Sequence, residues 1–473
     1  MFKKIIKIAM AFLGMVVGAG FASGQELLQY FVAFGKWGVV GAVITGIVMA
    51  ISGDAILQLG SYYRAREHKS VLDEVTHPIV SWILDGILIF TLFCFGFVMI
   101  AGGGANLNQQ FGLPIWVGAA LMAVLVIAAG FLDVDKVTTL IGAITPLIVV
   151  LLVLGAGYAI SQSDLTFSAA AQAASKITPA MPPWWLSAIN YVGLALVLAI
   201  SMALVMGGDQ LNTRAAGLGG VAGGSLFGVL LVLSAVGLLS AIDKVGDADL
   251  PMLALMDAIH PTVGVIMAVV IYLMIFNTAI GIYYALAKRA EAVKPSWFRP
   301  ALILSTLAGF VFSFLGFKSL ISWLFPILGY LGVAMVAILV VSWLRSYGDI
   351  TQEHERRERV RDLIQRKLHP RKRFQRKHRT ELARTIEDSN VENADLSDQI
   401  HHEVATELVA DSDVEEFTEQ EAQPYLLDTE ETVQTDETEE TAQTDETQET
   451  AQANDSSDTA LTDEAAQAVA HKD

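Results

Sequence analysis

The stretch from Gly18 to Glu26 places three glycines, a serine, a glutamine and a carboxylate inside an apolar segment. Its glycines leave backbone amides and carbonyls uncovered, and in a bilayer such backbone survives only where it lines a cavity or is covered by protein. We therefore predict a broken helix, whose freed carbonyls coordinate a cation and whose second half, starting near Ser23 to Gln25, binds an anionic group. The alternative is close helix packing, because Gly20 and Gly24 have a small-xxx-small spacing.

Glu26 is the ionisable side chain of this stretch. A charged group in a membrane span is costly and therefore needs a reason. Glu26 could pair with a substrate amine or a sodium ion, or exchange a proton; the structural alternative is a hydrogen bond to another helix. Asp54 and Asp85 lie near the predicted cytoplasmic ends of later spans, where we expect contacts that serve gating or topology.

Asn277 and Thr278 place two oxygen-bearing side chains side by side in the middle of another apolar segment. Together with carbonyls from the broken helix they would supply part of the all-oxygen shell that a sodium ion prefers. The ordinary alternative is a hydroxyl bonded to its own helix backbone and one amide bonded to a neighbouring helix. The residues alone leave both readings open.

A membrane span needs about 20 mostly apolar residues. The sequence has ten such segments, at 5–34, 37–59, 79–104, 113–132, 136–160, 185–206, 216–240, 262–287, 299–316 and 319–344. The first also looks like a secretory signal with a cleavage site before Ser23, but apolar residues resume at Leu27 and nine spans follow, so we expect it to be retained. The pattern predicts an all-α polytopic membrane protein with ten transmembrane helices.

Lysine and arginine in the short loops indicate the orientation. With the N-terminus inside, twelve of them lie on the cytoplasmic side and four lie outside, at Lys36, Lys176, Lys244 and Lys318. We therefore expect a multi-pass protein of the bacterial cytoplasmic membrane with both termini in the cytoplasm.

Charge divides the chain into two parts. Of its 473 residues, 53% are hydrophobic and 17% are charged, and the formal net charge is −18. Up to Leu344 there are 16 basic and 15 acidic residues, whereas 345–473 contains 15 basic and 34 acidic ones. The acidic character therefore belongs to the C-terminal part and says nothing about what the apolar part binds.

The apolar part has no recognisable enzyme motif. It contains no P-loop and no His-Glu-x-x-His, and Cys94 is the only cysteine, so neither a disulfide framework nor a cysteine metal site is expected. We expect no enzyme activity and no cofactor. Uphill transport would need an ion gradient, with sodium or a proton as the coupling ion.

The C-terminal part changes character along its length. We predict a transmembrane domain at 1–344, a basic juxtamembrane helix at 345–385 and an acidic, low-complexity, disordered tail at 386–473, which contains a nine-residue repeat. Residues 356–379 contain twelve Lys and Arg. Each basic residue next to an anionic membrane surface contributes about 1 kcal/mol, so the cluster is a candidate for contact with anionic lipid headgroups. A plain solvated helix is the alternative, and nucleic acid is not expected as a partner because no binding fold accompanies the cluster.

Ten core helices, the glycine-rich break and the Asn277-Thr278 pair resemble the LeuT-fold transporters of the amino acid-polyamine-organocation superfamily. The run Gly-Ala-Gly-Phe-Ala-Ser-Gly-Gln-Glu also looks like that of a bacterial group of uncharacterised membrane proteins related to them. The resemblance covers residues 1–344. It implies two inverted five-helix repeats, helices one to five and six to ten, with a binding site where helices one and six are interrupted.

The resemblance also implies positions for the site. A cation between helices one and eight would be held at Gly18, Phe21, Asn277 and Thr278. The expected substrate-binding residues come from helices one and six and are Gly20, Ala22, Ser23, Gly24, Gln25, Glu26, Asn190, Tyr191 and Gly193. The sequence departs from this pattern at 185–206, where Gly193 is the only glycine and no polar interruption follows it, so a break in helix six is not predicted from the residues.

The function expected from these features is secondary active transport. The solute would be small and organic, such as an amino acid or a related amine, carried through a small-molecule site by alternating access. One rival is a non-transporting membrane sensor or scaffold that signals through the long tail. A channel is a second rival, but it would need a continuous polar pore that these sparse polar residues hardly provide.

Overall fold

The computed structural model describes residues 2–66, 68–131, 145–163, 166–410, 417 and 419–426. Within these ranges every regular element is a helix. The chain divides into two compact units, Met1–His354 and Glu355–Asp473.

The first unit begins with the helices α1 (Phe2–Val16), α2 (Ala19–Ser23), α3 (Gln25–Tyr30), α4 (Lys36–Tyr63), α5 (His68–Val75), α6 (Pro78–Phe111), α7 (Ile115–Ala129) and α8 (Thr145–Ser161). It continues with α9 (Phe167–Ala174), α10 (Trp184–Val197), α11 (Ala199–Gly208), α12 (Thr213–Ser240), α13 (Ile242–Val245), α14 (Pro251–Ile259), α15 (Pro261–Val293) and α16 (Phe298–Ser313). Helix α17 (Phe317–Leu368) begins in the first unit and ends in the second, which also contains α18 (Arg376–Glu387), α19 (Asn393–Ala410) and α20 (Glu419–Leu426).

Six helices in the described ranges are long and apolar enough to cross a membrane: α4, α6, α12, α15, α16 with the 3-10 turn before it, and α17. The bent pair α10 and α11 makes a seventh if it is one span, and α7 and α8 are shorter apolar helices. The protein is thus a multi-pass membrane protein. Ten spans remain a prediction, and residues 132–144, which include the expected start of the fifth span, lie outside the described residues.

Residue chemistry explains where the long helices begin and end. His77 and His260 each accept a hydrogen bond from a backbone amide at the start of α6 and α15, and each is followed by a proline. Proline suits this first position because its missing N–H would have no partner inside the helix. Helix α6 ends at Gly112, whose φ of 67° is readily adopted by glycine.

The first segment is interrupted twice, which confirms the predicted broken helix and refines its position. Helix α1 ends at Val16, and Gly18, with extended backbone, precedes α2. Gly24, at φ 79°, then separates α2 from α3. The second half, α3, begins at Gln25, within the predicted range of Ser23 to Gln25, and a separate five-residue helix, α2, precedes it.

Another break, which the sequence did not indicate, lies in the sixth apolar segment. Helices α10 and α11 meet at Leu198 and are bent by 60°. Leu198 itself has φ −83° and ψ −31°, ordinary helical values, so its residue type gives no sign of the interruption. The residues at 185–206 left open whether this segment is broken, and the bend shows that it is.

The transmembrane helices form two packed groups. In the first, α4 packs against α10, α11 and α12, and α1 packs against α11 and α12. In the second, α6, α7, α15 and α16 all pack against one another, and α8 contacts α12 and α15 and so touches both groups. The first interruption of the chain lies between these groups, since α2 contacts α15 while α3 contacts α12.

The second unit corrects the expectation of a disordered tail from residue 386. Helices α19 and α20 lie within that range, and only residues 427–473 and short stretches before them fall outside the described residues. Leu396, Ile400, Val404 and Leu408 recur at a spacing of four and are each at most 3% exposed, so α19 has a buried apolar face. The acidic average composition concealed this stripe. The second unit begins at Glu355, ten residues later than the predicted start at residue 345.

Candidate functional site

A cavity of about 840 Å³ lies beside the first interruption. Its walls come from α1, α2, α3, α6, α8, α10, α11 and α15, and they are mainly apolar. The polar side chains in its lining within the described residues are those of Glu26, Tyr191, Asn277 and Thr278. A largely apolar pocket with a few converging polar groups is the usual form of a small-molecule site.

Glu26 is the acidic centre of this cavity. Its side chain is 7% exposed, and the Tyr191 hydroxyl donates a hydrogen bond to Glu26 Oε2 over 3.2 Å. A Cβ atom on Gly20 would lie 1.6 Å from Glu26 Oε1. The carboxylate therefore occupies space that exists only because residue 20 is glycine.

The turn between α2 and α3 holds itself together. The Ser23 hydroxyl donates to the Gly20 carbonyl over 2.7 Å, and the Gln25 amide donates to Ser23 Oγ over 3.2 Å. A Cβ on Gly24 would lie 2.8 Å from the Met252 side chain of α14, so this helix covers the turn. Ser23, Gly24 and Gln25 do not line the cavity, and neither does the buried Ala22.

Gln25 is a separate case. Its side chain is completely buried, and both its amide nitrogen and its amide oxygen have no hydrogen-bond partner among the described residues. Buried polar atoms normally have a partner, so this side chain is the least explained of the predicted site residues.

Asn190 and Gly193 face α17 rather than the cavity. The Asn190 amide donates to the Pro326 carbonyl over 2.9 Å, and its oxygen accepts from the Tyr30 hydroxyl over 3.2 Å. A Cβ on Gly193 would lie 2.3 Å from the Gly329 carbonyl oxygen. Both residues therefore join α10 to α17, whereas Tyr191 reaches the cavity.

The four predicted cation-binding residues all line the cavity. The Thr278 hydroxyl donates to the Met274 carbonyl over 3.0 Å, which is the ordinary alternative considered for it. Asn277 Oδ1 is buried and has no hydrogen-bond partner in the described ranges. The Phe21 ring packs against Phe227 at a centroid distance of 5.3 Å. Asn277 is therefore the member of this set with an unused oxygen.

Two further sets of polar contacts join α3 to α17 and α6 to the residue that precedes α14. The Gln29 side-chain amide donates to Ser322 of α17 over 3.0 Å. Gln109 at the end of α6 bonds both backbone groups of Leu250, at 3.0 and 2.9 Å, and so holds the residue that precedes α14. These polar side chains lie close to helix ends, and nothing in their residue types or spacing singled them out beforehand.

The other two carboxylates singled out in the sequence, Asp54 and Asp85, take part in contacts between helices, Asp85 directly and Asp54 through Gln58. Asp85 of α6 pairs with Arg289 of α15. Asp54 accepts a hydrogen bond of 2.6 Å from Gln58, whose side-chain oxygen accepts one of 3.0 Å from the Trp343 indole of α17. Neither carboxylate lines the cavity.

The apolar wall residues could not be identified from the sequence. Phe95, Met99, Met202 and Met274 line the cavity, yet their types and spacing do not differ from those of side chains that face lipid or the protein core. Only the three-dimensional packing separates the two sets.

Comparisons with known proteins give matches along most of the chain. No protein-family model matches it. In sequence it is similar to the uncharacterized membrane protein YkvI of Bacillus subtilis, with 24% identity over 337 residues, 71% of this chain and 94% of YkvI. It is also similar to the uncharacterized protein YyaD of the same organism, with 26% identity over 338 residues, 71% of this chain and 96% of YyaD.

Two solved structures are similar in fold. The inward-facing conformation of Mhp1 gives a TM-score of 0.49 at 14% identity and covers 72% of this chain and 76% of Mhp1. MhsT in complex with L-phenylalanine gives a TM-score of 0.48 at 14% identity and covers 71% of this chain and 97% of MhsT.

Proposed function

We propose that the protein is a secondary active transporter of the bacterial cytoplasmic membrane. It is an ion-coupled carrier, driven by sodium or protons, of a small organic solute such as an amino acid or a related amine. The observation that carries this proposal is the cavity of about 840 Å³ at the broken first segment, with the buried Glu26 carboxylate in its wall. A cavity of this size accommodates a small organic molecule.

The architecture proposed for this function has ten spans in two inverted five-helix repeats, with both termini in the cytoplasm. The two interruptions, before α2 and between α10 and α11, both border the cavity and support this arrangement. Alternating access then consists of one packed group rocking against the other: α1, α4, α10, α11 and α12 against α6, α7, α15 and α16.

A cation site at Gly18, Phe21, Asn277 and Thr278 is part of the proposal. The buried, unpartnered Asn277 Oδ1 supports it, because a bound cation would satisfy that oxygen. The other ligands would be backbone carbonyls freed at the first interruption.

Reconstituted transport tests the proposal. Purified protein in proteoliposomes should accumulate a labelled solute from a panel of amino acids and amines when a sodium or proton gradient is imposed. Glu26→Gln should reduce the rate at least about tenfold, a loss of about 1.4 kcal/mol, because it removes the charge in the cavity wall. Thr278→Ala should lower the response to sodium if sodium is the coupling ion.

Glu291→Gln is the control, since Glu291 is partly exposed and pairs with Lys288 at the end of α15, outside the cavity lining. All variants should elute as folded protein in gel filtration. Absence of flux for every solute, by folded wild-type protein under both gradients, would refute the carrier function.

A sensor or scaffold on the same fold is the second candidate. The observation that favours it is the helical unit at 355–426, which has its own buried residues and ion pairs, such as Arg361 with Glu407. A sensor would bind solute without flux, and binding would change the proteolysis of this unit. Truncation before residue 427 should leave transport intact if the protein is a carrier.

We also propose that anionic lipid headgroups bind the part of the basic cluster at 371–379. Within 356–379, Arg359 pairs with Glu381 and Arg361 with Glu407. Residues 371–379 include six exposed basic side chains. Neutralising Arg371, Lys372 and Arg373 together to glutamine should weaken binding of soluble dioctanoyl phosphatidylglycerol to the detergent-solubilised chain, measured by thermophoresis.

Arg361→Gln is the matched control for this lipid prediction, because its charge is already paired with Glu407. Dioctanoyl phosphatidylcholine should bind the wild type and the triple variant equally. If the triple variant retains the wild-type affinity for phosphatidylglycerol, segment 371–379 is a solvated surface and not a lipid site.

A further inference from the structure

Glu26 is electrostatically isolated in the cavity. Among the described residues that line it there is no lysine, arginine, histidine or aspartate. Tyr191 donates a hydrogen bond to the carboxylate, and Tyr30, whose own hydroxyl is bonded to Asn190, packs against the Tyr191 ring at a centroid distance of 5.4 Å. Both tyrosines are neutral at physiological pH, because a phenol titrates near pH 10. Glu26 thus has no cationic partner among the cavity-lining residues that the structure describes.

Two states of such a buried carboxylate have a low free energy. A buried charge is costly unless a counter-charge and hydrogen bonds compensate it, and Tyr191 supplies a single neutral donor. The group is therefore stable either with a proton or with a cation from outside the protein. It cannot hold both at once, because the proton removes the charge that attracts the cation.

We propose that Glu26 is a shared exchange site, at which a proton and a monovalent organic ammonium ion with an apolar body exclude each other, so that the protein exchanges one for the other across the membrane. This inference rests on the proposed carrier function and assigns its coupling ion and solute. In the exchange, the neutral Glu26 acid and the ammonium ion R–NH₃⁺ give the carboxylate–ammonium pair and one released proton. Charge balances, since one positive charge enters and one leaves.

The surroundings favour an ammonium ion over an amino acid. The carboxylate of an amino acid would need a cation or an anion site, and the described lining offers no basic residue. The turn after α2 is already used, because the Gln25 amide bonds Ser23 and Met252 packs against Gly24. A second negative charge beside Glu26 would also be repelled. An amine without a carboxylate avoids both costs.

The walls favour an apolar body on this ammonium ion. Phe21 and Phe95 present aromatic side chains to the cavity, and Met99, Met202 and Met274 present thioethers. Aromatic faces attract cations, and methionines adapt to differently shaped apolar groups. Asn277 Oδ1, buried without a partner in the described part of the chain, provides one further acceptor for an N–H group.

One exchange site for two ions has a measurable signature. At pH values below the titration of Glu26, each amine bound should displace about one proton from Glu26, and the apparent Kd should rise about tenfold for each unit of decreasing pH. Isothermal titration calorimetry of the full chain in detergent, in two buffers of different ionisation enthalpy, measures both quantities. The probe is 2-phenylethylamine, which remains protonated between pH 5.5 and 8.5.

Two analogues and three variants complete the experiment. L-Phenylalanine adds a carboxylate to the same body, and 2-phenylethanol removes the charge; both should bind at least about tenfold more weakly than the amine. Glu26→Gln should lose amine binding together with proton release. Tyr191→Phe keeps the carboxylate and should still release about one proton, and Glu291→Gln, outside the cavity lining, should behave as wild type.

Each contrary result identifies what fails. Binding of the amine without proton release throughout the range from pH 5.5 to 8.5, or with an affinity independent of pH over that range, overturns the shared site, whereas the carrier function is judged separately by flux in proteoliposomes. Equal or tighter binding of L-phenylalanine overturns the ammonium assignment. Failure of the folded wild-type chain to bind 2-phenylethylamine at any pH overturns the inference. Because the wild-type pH series requires no variant, misfolding of Glu26→Gln would not leave the question open.

Discussion

Replacing Gly20 with alanine is expected to reduce solute transport at least about tenfold while the protein remains folded. The new Cβ would lie 1.6 Å from Glu26 Oε1 and 3.2 Å from Glu26 Oε2. These atoms are the end of a flexible side chain, so the carboxylate moves and the backbone does not. Its hydrogen bond from Tyr191 is then lost, and the charge no longer lies where the cavity wall presents it.

The measurement is flux in proteoliposomes together with a thermal melt of the same preparations. Gly86→Ala in α6 is the matched control, because nothing lies within 4 Å of a Cβ built there. The control should keep the wild-type rate, and both variants should melt near the wild type. Normal flux through Gly20→Ala would mean that the position of the Glu26 carboxylate is irrelevant to transport.

The interrupted first segment could be predicted because its residue types restrict the backbone. Gly24 adopts φ 79°, a conformation that other residues rarely adopt, and Gly20 leaves room for a neighbouring carboxylate. Glycine and a buried charge are visible in a sequence. Their combination indicated a break, and the structure places Glu26 in the cavity wall beside it.

The break between α10 and α11 could not be predicted in this way. It occurs at Leu198, a good helix former whose φ and ψ are helical, in a run of apolar residues. Bends without proline or glycine arise from tertiary packing, which a single sequence does not reveal. Residue types thus indicated the interruption of the first segment but not the break between α10 and α11.

Neighbouring residues of the sixth segment show why site residues were only partly predictable. Tyr191 lines the cavity, whereas Asn190 bonds Pro326 and Gly193 lies against the Gly329 carbonyl. Successive residues of an α-helix differ by about 100° in direction, so adjacent polar residues serve different neighbours. Assigning a face requires the packing partners, and α17 supplies them here.

Glycine spacing contained information about the fold that the search for chemistry did not use. Gly46, Gly53 and Gly60 recur every seven residues on α4. They lie against the backbone of other helices: Gly46 against Gly228, Gly53 against Gly220, and Gly60 against Leu204. Close approach of helices through small residues is typical of membrane proteins. Small residues in the first group of helices therefore mark its packing surfaces.

Gly220→Ala should destabilise the protein strongly, by about 3 kcal/mol, the upper end of the usual cost of overpacking. A Cβ there would lie 2.3 Å from the Gly53 carbonyl oxygen, 2.4 Å from the Gly53 carbonyl carbon and 2.8 Å from the Asp54 amide nitrogen. All three atoms belong to the backbone of α4, which no rotamer change can move. The two helices must separate, and lipid tails provide no hydrophobic force to hold them together.

Gly281→Ala in α15 is the matched control for this prediction, because nothing lies within 4 Å of its added Cβ. Both variants are to be purified in the same detergent and compared by thermal melting and by the yield of folded protein in gel filtration. The control should match the wild type, whereas Gly220→Ala should melt at a clearly lower temperature. If Gly220→Ala melted like the wild type, α4 and α12 would not pack backbone against backbone, and the first helix group would lack the contact that lets it move as one body.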